Sequence, residues 1–142
     1  MILRLKKEQH IKITAAKQVF EILSRILKRK PRAEQQKEHF YVIGLRANGI
    51  IIYIDLISIG GLTGTVVDVY GVFRTAIIKH ANSIIICHNH PSGEMKPSEA
   101  DHDITKKMYL SGELIGIKIL DHIIFSTHFY YSMAQHNELN PN

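Results

Sequence analysis

From Ala15 onward the apolar residues recur at helical spacing, with Val19, Ile22, Leu23, Ile26 and Leu27 on one side, and the pattern stops before Pro31. It predicts a helix from Ala15 to about Lys30, capped by Thr14 and ended by Pro31. The period then changes. Residues 39 to 46 and 50 to 58 are rich in β-branched and aromatic side chains and flank Ala47-Asn48-Gly49, which predicts an antiparallel hairpin. A second helix is expected from Asp68 to about Ala81, burying Val69, Val72, Phe73, Ala76 and Ile77. Ser83 to His88 forms a short apolar run, as a central strand covered on both faces would. Ser98 opens a third helix reaching Leu110 to Leu114. The runs Ile117 to Leu120 and His122 to Ser126 suggest a closing hairpin, and the last ten or so polar residues are expected to fray.

The resulting order, αββαβαββ, predicts an α/β (α+β) domain in which helices cover a mixed sheet. With 142 residues, 45% of them apolar, the chain can bury one core but is too short for two ordinary domains. No run reaches the roughly 18 apolar residues of a membrane span, and the N-terminus lacks the apolar stretch of a signal peptide, so a cytoplasmic protein is expected.

Charge divides the chain unevenly. Residues 1 to 37 carry eleven Lys and Arg against Glu8, Glu21 and Glu34, a balance of +8, while the remainder is at −3. The basic N-terminal helical segment, residues 1 to 35, could contact DNA or another polyanion, or could simply be a solvated helix face and basic loop. No aromatic residue interleaves Lys28-Arg-Lys-Pro-Arg32, so stacking on bases has no support. Cys87 is the single cysteine, which excludes a disulfide framework and any metal site built from several thiolates. It reads as a buried strand thiol. The Gly60-Gly61-x-x-Gly64 stretch lacks the Gly-Lys-Ser/Thr ending of a phosphate-binding loop and reads as a tight connection.

Candidate chemistry lies in His88-Asn-His90-Pro-Ser-Gly93 and Pro97-Ser98-Glu-Ala-Asp101. On a strand end, residues two apart share a face, so His88 and His90 can offer imidazoles to one ion while Cys87 and Asn89 point away. The Pro-Ser-Gly turn brings the chain back, and the first turn of the next helix carries Asp101 as a third ligand. That would make an open Zn2+ site with three protein ligands and a water. Ser98 would share a helix face with Asp101, although Ser98-x-x-Asp101 is also a capping arrangement by itself. His102, next to Asp101, is expected toward solvent or behind the ligands, and His122 is read as structural. His10, His39, His80, His128 and His136 lack a partner at ligand spacing and are expected at surface or satisfied positions.

The order His-x-His, seven residues, Ser, two residues, Asp resembles the motif of the JAB/MPN+ (JAMM) metalloprotease superfamily. The words His88-Asn-His-Pro-Ser-Gly93, Pro97-Ser-Glu-Ala-Asp101 and Leu120-Asp-His-Ile-Ile124 resemble its RadC-like branch, across residues 36 to 133. The resemblance implies a curved mixed sheet flanked by helices, with cytidine-deaminase-like layering, followed here by a tail of residues 134 to 142. It also implies a catalytic glutamate at the start of the first long strand, which falls on Glu38; Glu94 and Glu99 are rival bases. Amide hydrolysis of a peptide or isopeptide substrate would follow, with Glu38 moving the proton and Ser98 holding the oxyanion. Two departures stand out. Longer members of the branch carry an N-terminal helix-hairpin-helix region for DNA, which this chain begins too late to contain, so a DNA-repair role carries over weakly. A Pro-Arg-Glu-like stretch before the second helix is replaced by Val69-Tyr70-Gly71. A nucleic-acid accessory module, or a metal-binding scaffold without turnover, is the alternative.

Overall fold

A computed structural model describes residues 1–60 and 67–141. Helix α1 runs Ala16–Lys28 and a single turn, α2, Arg32–Gln35; the hairpin strands are β1 (His39–Leu45) and β2 (Ile51–Ile59). Then come α3 (Val69–Ile78), β3 (Ser83–Asn89), α4 (Glu99–Ile115), β4 (Lys118–Phe125) and β5 (Tyr130–Ser132). The five strands form one mixed sheet in the order β2-β1-β3-β4-β5. β1 is antiparallel to both β2 and β3, β3 is parallel to β4, and β5 returns antiparallel to β4.

Strand β3 is buried along its whole length, as its apolar run implied. Its alternation separates two cores. Ile85 and Cys87 join Val19, Leu23 and Leu27 of α1, whereas Ile84 and Ile86 join Val72, Phe73 and Ala76 of α3 and Met108 of α4. The sheet is therefore the middle of three layers. The free edge of β2 is covered by the N-terminal segment: Leu3 N donates to Ile54 O at 2.8 Å and Ile51 N to Ile11 O at 3.0 Å. An edge so paired is closed to further strands.

The local expectations need four corrections. Thr14 does not cap α1; its N–H and hydroxyl, together with the Ala15 N–H, point to Gln18 Oε1, so a side chain inside the first turn folds back over the helix start. Ile77 is 55% exposed, because α3 turns Val72, Phe73 and Ala76 inward, with Val69 partly buried beside them. The expected hairpin of residues 117–120 and 122–126 is a single strand, β4. Asp121, which reads as a polar break between apolar runs, stays within the strand at a register shift against β3. Its carboxylate accepts from His122 N at 2.7 Å, Ser132 Oγ at 2.5 Å and Ala134 N at 2.9 Å, which satisfies a buried anion inside a sheet. The residues after 133 are not frayed through residue 139: His136 stacks on Tyr131 with ring centroids 4.0 Å apart, and Leu139 packs against the α3/α4 core. Of the Gly60-Gly61-x-x-Gly64 stretch, residues 61–66 lie outside the described residues.

Candidate metal centre

Strand β3 and the first turn of α4 meet at the C-terminal end of β3. His88 is fully buried, and His90 follows just beyond the strand, where His90 N donates to Phe125 O at 3.0 Å and Gly93 N closes a turn onto His90 O at 3.0 Å. Gly93 holds φ +82°, a conformation that side-chain-bearing residues rarely adopt, so the reversal toward Pro97 suits glycine. Ser98 then caps α4: Asp101 N donates to Ser98 Oγ at 3.1 Å and Ser98 N to Asp101 Oδ2 at 2.8 Å. That reciprocal cap fixes the direction of the Asp101 carboxylate.

The two imidazoles and the carboxylate converge. His88 Nε2 lies 2.8 Å from His90 Nε2 and 3.1 Å from Asp101 Oδ1, and His90 Nε2 lies 3.1 Å from Asp101 Oδ2. One ligand atom from each of the three fits within 4.8 Å of the others, so the cluster could hold a metal ion. The protons support this. His90 Nδ1 is 2.7 Å from the Glu94 carbonyl, an acceptor only, so that nitrogen carries the hydrogen and Nε2 offers a lone pair to the cluster. Two imidazoles and one carboxylate are a donor set that suits zinc and neighbouring transition ions.

Charges respond to the same contacts. Burial alone would raise the Asp101 carboxyl, but its contacts with the His88 and His90 rings prevail and hold it well below the usual carboxylate range. Burial alone would lower His90, but its contact with Asp101 and the Glu94 carbonyl raise it, with the charges of Asp101 and Glu38 adding to the rise. A cleft of about 380 Å³ opens over the cluster, lined among others by Glu38, His90, Glu94, Lys96, Ser98 and Asp101. Glu38 and Ser98 thus border the same space as two of the ligand candidates. Of the rival carboxylates, Glu94 also lines it, while Glu99 sits in the first turn of α4.

Three side chains at the centre were not legible as such. Asn89, on the opposite face of β3, accepts from His39 N at 2.6 Å and donates to Lys37 O at 3.0 Å, so it grips the backbone on both sides of Glu38. His122 lies with Nε2 2.8 Å from His88 Nδ1, and Thr105 Oγ1 lies 2.5 Å from His122 Nδ1. Burial, reinforced by the nearby His88, lowers His122 well below the ordinary histidine range. Thr105 sits four residues after Asp101, one helical turn along the same face, and that spacing was the available signal. His39 departs from the expectation of a surface or satisfied position. It is fully buried, with Nδ1 against Lys37 O at 2.9 Å and, among the described residues, no hydrogen-bond partner for Nε2. Cys87 is buried in the α1-side core as expected.

A three-layer α/β domain carrying a His-His-Asp cluster at a strand end fits a family of metal-dependent hydrolases. A family model described as a RadC-like JAB domain matches residues 13–139, and the chain belongs to that family. The match reaches beyond residues 36 to 133 at both ends and takes in α1. Among curated proteins the chain is 43% identical over 133 residues to a UPF0758 protein of Flavobacterium johnsoniae, covering 94% of this chain and 54% of that one. It is 41% identical over 130 residues to a UPF0758 protein of Clostridium acetobutylicum, covering 92% and 55%. A third such protein, of Caldanaerobacter subterraneus, is 48% identical over 88 residues, 62% of this chain and 38% of the relative. The chain therefore spans little more than half the length of the first two. No helix among the described residues is long and apolar enough to cross a membrane.

Proposed function

We propose that this domain is a zinc-dependent hydrolase that cleaves amide bonds, in the manner of a metallopeptidase or isopeptidase, with His88, His90 and Asp101 as the ligands. The observation that carries it is the convergence of these three side chains under a cleft that Glu38 and Ser98 also line. Zinc held there would supply Lewis acidity, lowering the pKa of a water to about 7 and polarising a carbonyl. Glu38 then has the task of a general base: its carboxylate takes the water proton and returns it to the leaving amine. The backbone at Glu38 is fixed for this, since Gly60 N donates to Glu38 O at 2.8 Å and Asn89 holds the residues on either side. Ser98, anchored as the cap of α4, has a hydroxyl on the cleft to donate to the developing oxyanion.

The test compares wild type and Glu38→Gln for cleavage of a peptide library and of an isopeptide-linked substrate after loading with zinc. The carboxamide cannot accept the proton, so turnover should fall by about 10²- to 10⁴-fold with zinc content unchanged. Unchanged turnover would contradict the role of Glu38.

A second reading, contact with DNA or another polyanion through the N-terminal third, is favoured by the exposure of Lys28, Arg29 and Arg32 around the end of α1. Neutralising these three should abolish a salt-sensitive association with polynucleotide if the contact is real; an association indifferent to the substitutions would remove it.

A further inference from the structure

We infer that His122 and Thr105 are positioning residues of the metal centre, joined in a hydrogen-bond relay that dictates which nitrogen of His88 faces the ion; the inference rests on the metal site proposed above. The relay begins at a group whose role is fixed. The main-chain carbonyl of Asp101 can only accept, and Thr105 Oγ1 lies 2.6 Å from it, so the hydroxyl proton is committed there. Met133 Sδ, at 3.5 Å, is a weaker and more distant competitor for that proton. With its proton spent, the Thr105 oxygen meets His122 Nδ1 at 2.5 Å as an acceptor, and His122 carries its hydrogen on Nδ1. The other nitrogen, Nε2, is then bare and meets His88 Nδ1 at 2.8 Å, which must donate. His88 Nε2 is left with a lone pair, aimed at the cluster.

The opposite direction is unfavourable. If Thr105 donated to His122 instead, its oxygen lone pair would face the Asp101 carbonyl at 2.6 Å, and His88 would present an N–H where an ion needs a lone pair. Reorientation of the rings is opposed by packing. His88 and His122 are both fully buried, and the Phe40 ring stacks on His88 and meets His122 at an angle of 68°, each at 6.2 Å between centroids. The relay also closes on itself. Asp101 supplies the carbonyl at its start and a carboxylate at its end, so the first turns of α4 hold the ligand and its orienting partner together. Glu94 O does for His90 directly what His122 does for His88. Both histidines are thereby held with a bare Nε2, and with Asp101 they bring three acceptors within 3.1 Å of a neighbour, which calls for a cation among them.

The experiment has a readout that needs no metal. Ring-15N spectra of the full chain, metal-free and zinc-loaded at mildly alkaline pH, should show His122 protonated at Nδ1 and bare at Nε2 in both states. Thr105→Val should scramble that tautomer and Thr105→Ser should keep it. Zinc competition against a chromophoric chelator should show a loss of about 10- to 100-fold for His122→Phe. Thr105→Val should lose several-fold and Thr105→Ser less than about twofold, since the serine keeps the hydroxyl. Melting curves of the metal-free variants report whether each is folded, and near-isosteric Thr105→Val keeps the test open if His122→Phe is not. A proton on His122 Nε2, or zinc affinity in folded His122→Phe or Thr105→Val equal to wild type, would overturn the relay. Unchanged zinc affinity in His88→Ala would instead overturn the metal site beneath it, while the tautomer of His122 would still be read.

Discussion

The two faces of β3 differ in what they do, although they alternate along the same seven residues. Toward α1, Ile85 and Cys87 enter an apolar core and Asn89 ends the row by holding the chain around Glu38. Toward α3 and α4, Ile84 and Ile86 are equally apolar, but the row continues into His88 and then His90, where α4 brings Asp101 and Thr105 against the strand end. One face is almost wholly structural; the other changes from packing to chemistry within two residues. A rigid apolar base below the histidines is what lets a site of this kind hold its geometry.

Substitutions should separate the faces, and the largest effect belongs to the ligand side. Asp101→Ala should lower zinc affinity by more than the about 100-fold upper range for orienting partners, measured by chelator competition. Retained affinity would mean that the α4 side does not hold the ion. On the other face, Ile85→Ala should cost about 2–5 kcal/mol of stability in denaturant unfolding and leave zinc affinity of the folded protein unchanged. Asn89→Ala crosses the division. It should leave zinc bound yet reduce turnover by about tenfold or more, because Glu38 loses its backbone tether. A parallel loss of zinc would show that Asn89 serves the ligands instead.

The smallest effect concerns His39. Burial lowers its proton affinity in the folded chain, so the unfolded chain takes up a proton near pH 6.5 that the folded chain refuses. Stability is lost as pH falls below that value. Melting temperature measured between pH 7.5 and pH 5.5 should therefore fall less steeply in His39→Gln than in wild type; an equal slope would remove His39 from the account.

Periodicity revealed most of the elements because burial repeats at regular intervals: α1, the hairpin, β3 and α4 stand where apolar spacing placed them. It failed where a polar residue was satisfied by distant partners. Asp121 interrupts an apolar run and reads as a turn, yet Ser132 and Ala134 reach it from across the β4–β5 reversal. Thr14 failed for the opposite reason, since Gln18 four residues on took the capping role. At the site, spacing along a strand and across a short turn was enough to group His88, His90 and Asp101. His122 read only as structural, and the four-residue spacing of Thr105 from Asp101 did not by itself join the two, because their contact depends on β4 lying parallel to β3 with α4 packed above both. Glu38 was named through the family resemblance alone, since its place depends on the pairing of β1 beside β3, which no local pattern encodes.

The central claim is that His88, His90 and Asp101 hold one ion over which the cleft does its chemistry. Zinc titration of the metal-free chain, followed by calorimetry in wild type and in His88→Ala, tests it most directly. The account predicts one tightly bound ion per chain in wild type and loss of that binding in His88→Ala. Tight binding that persists in His88→Ala, or no tight binding in wild type, would contradict it.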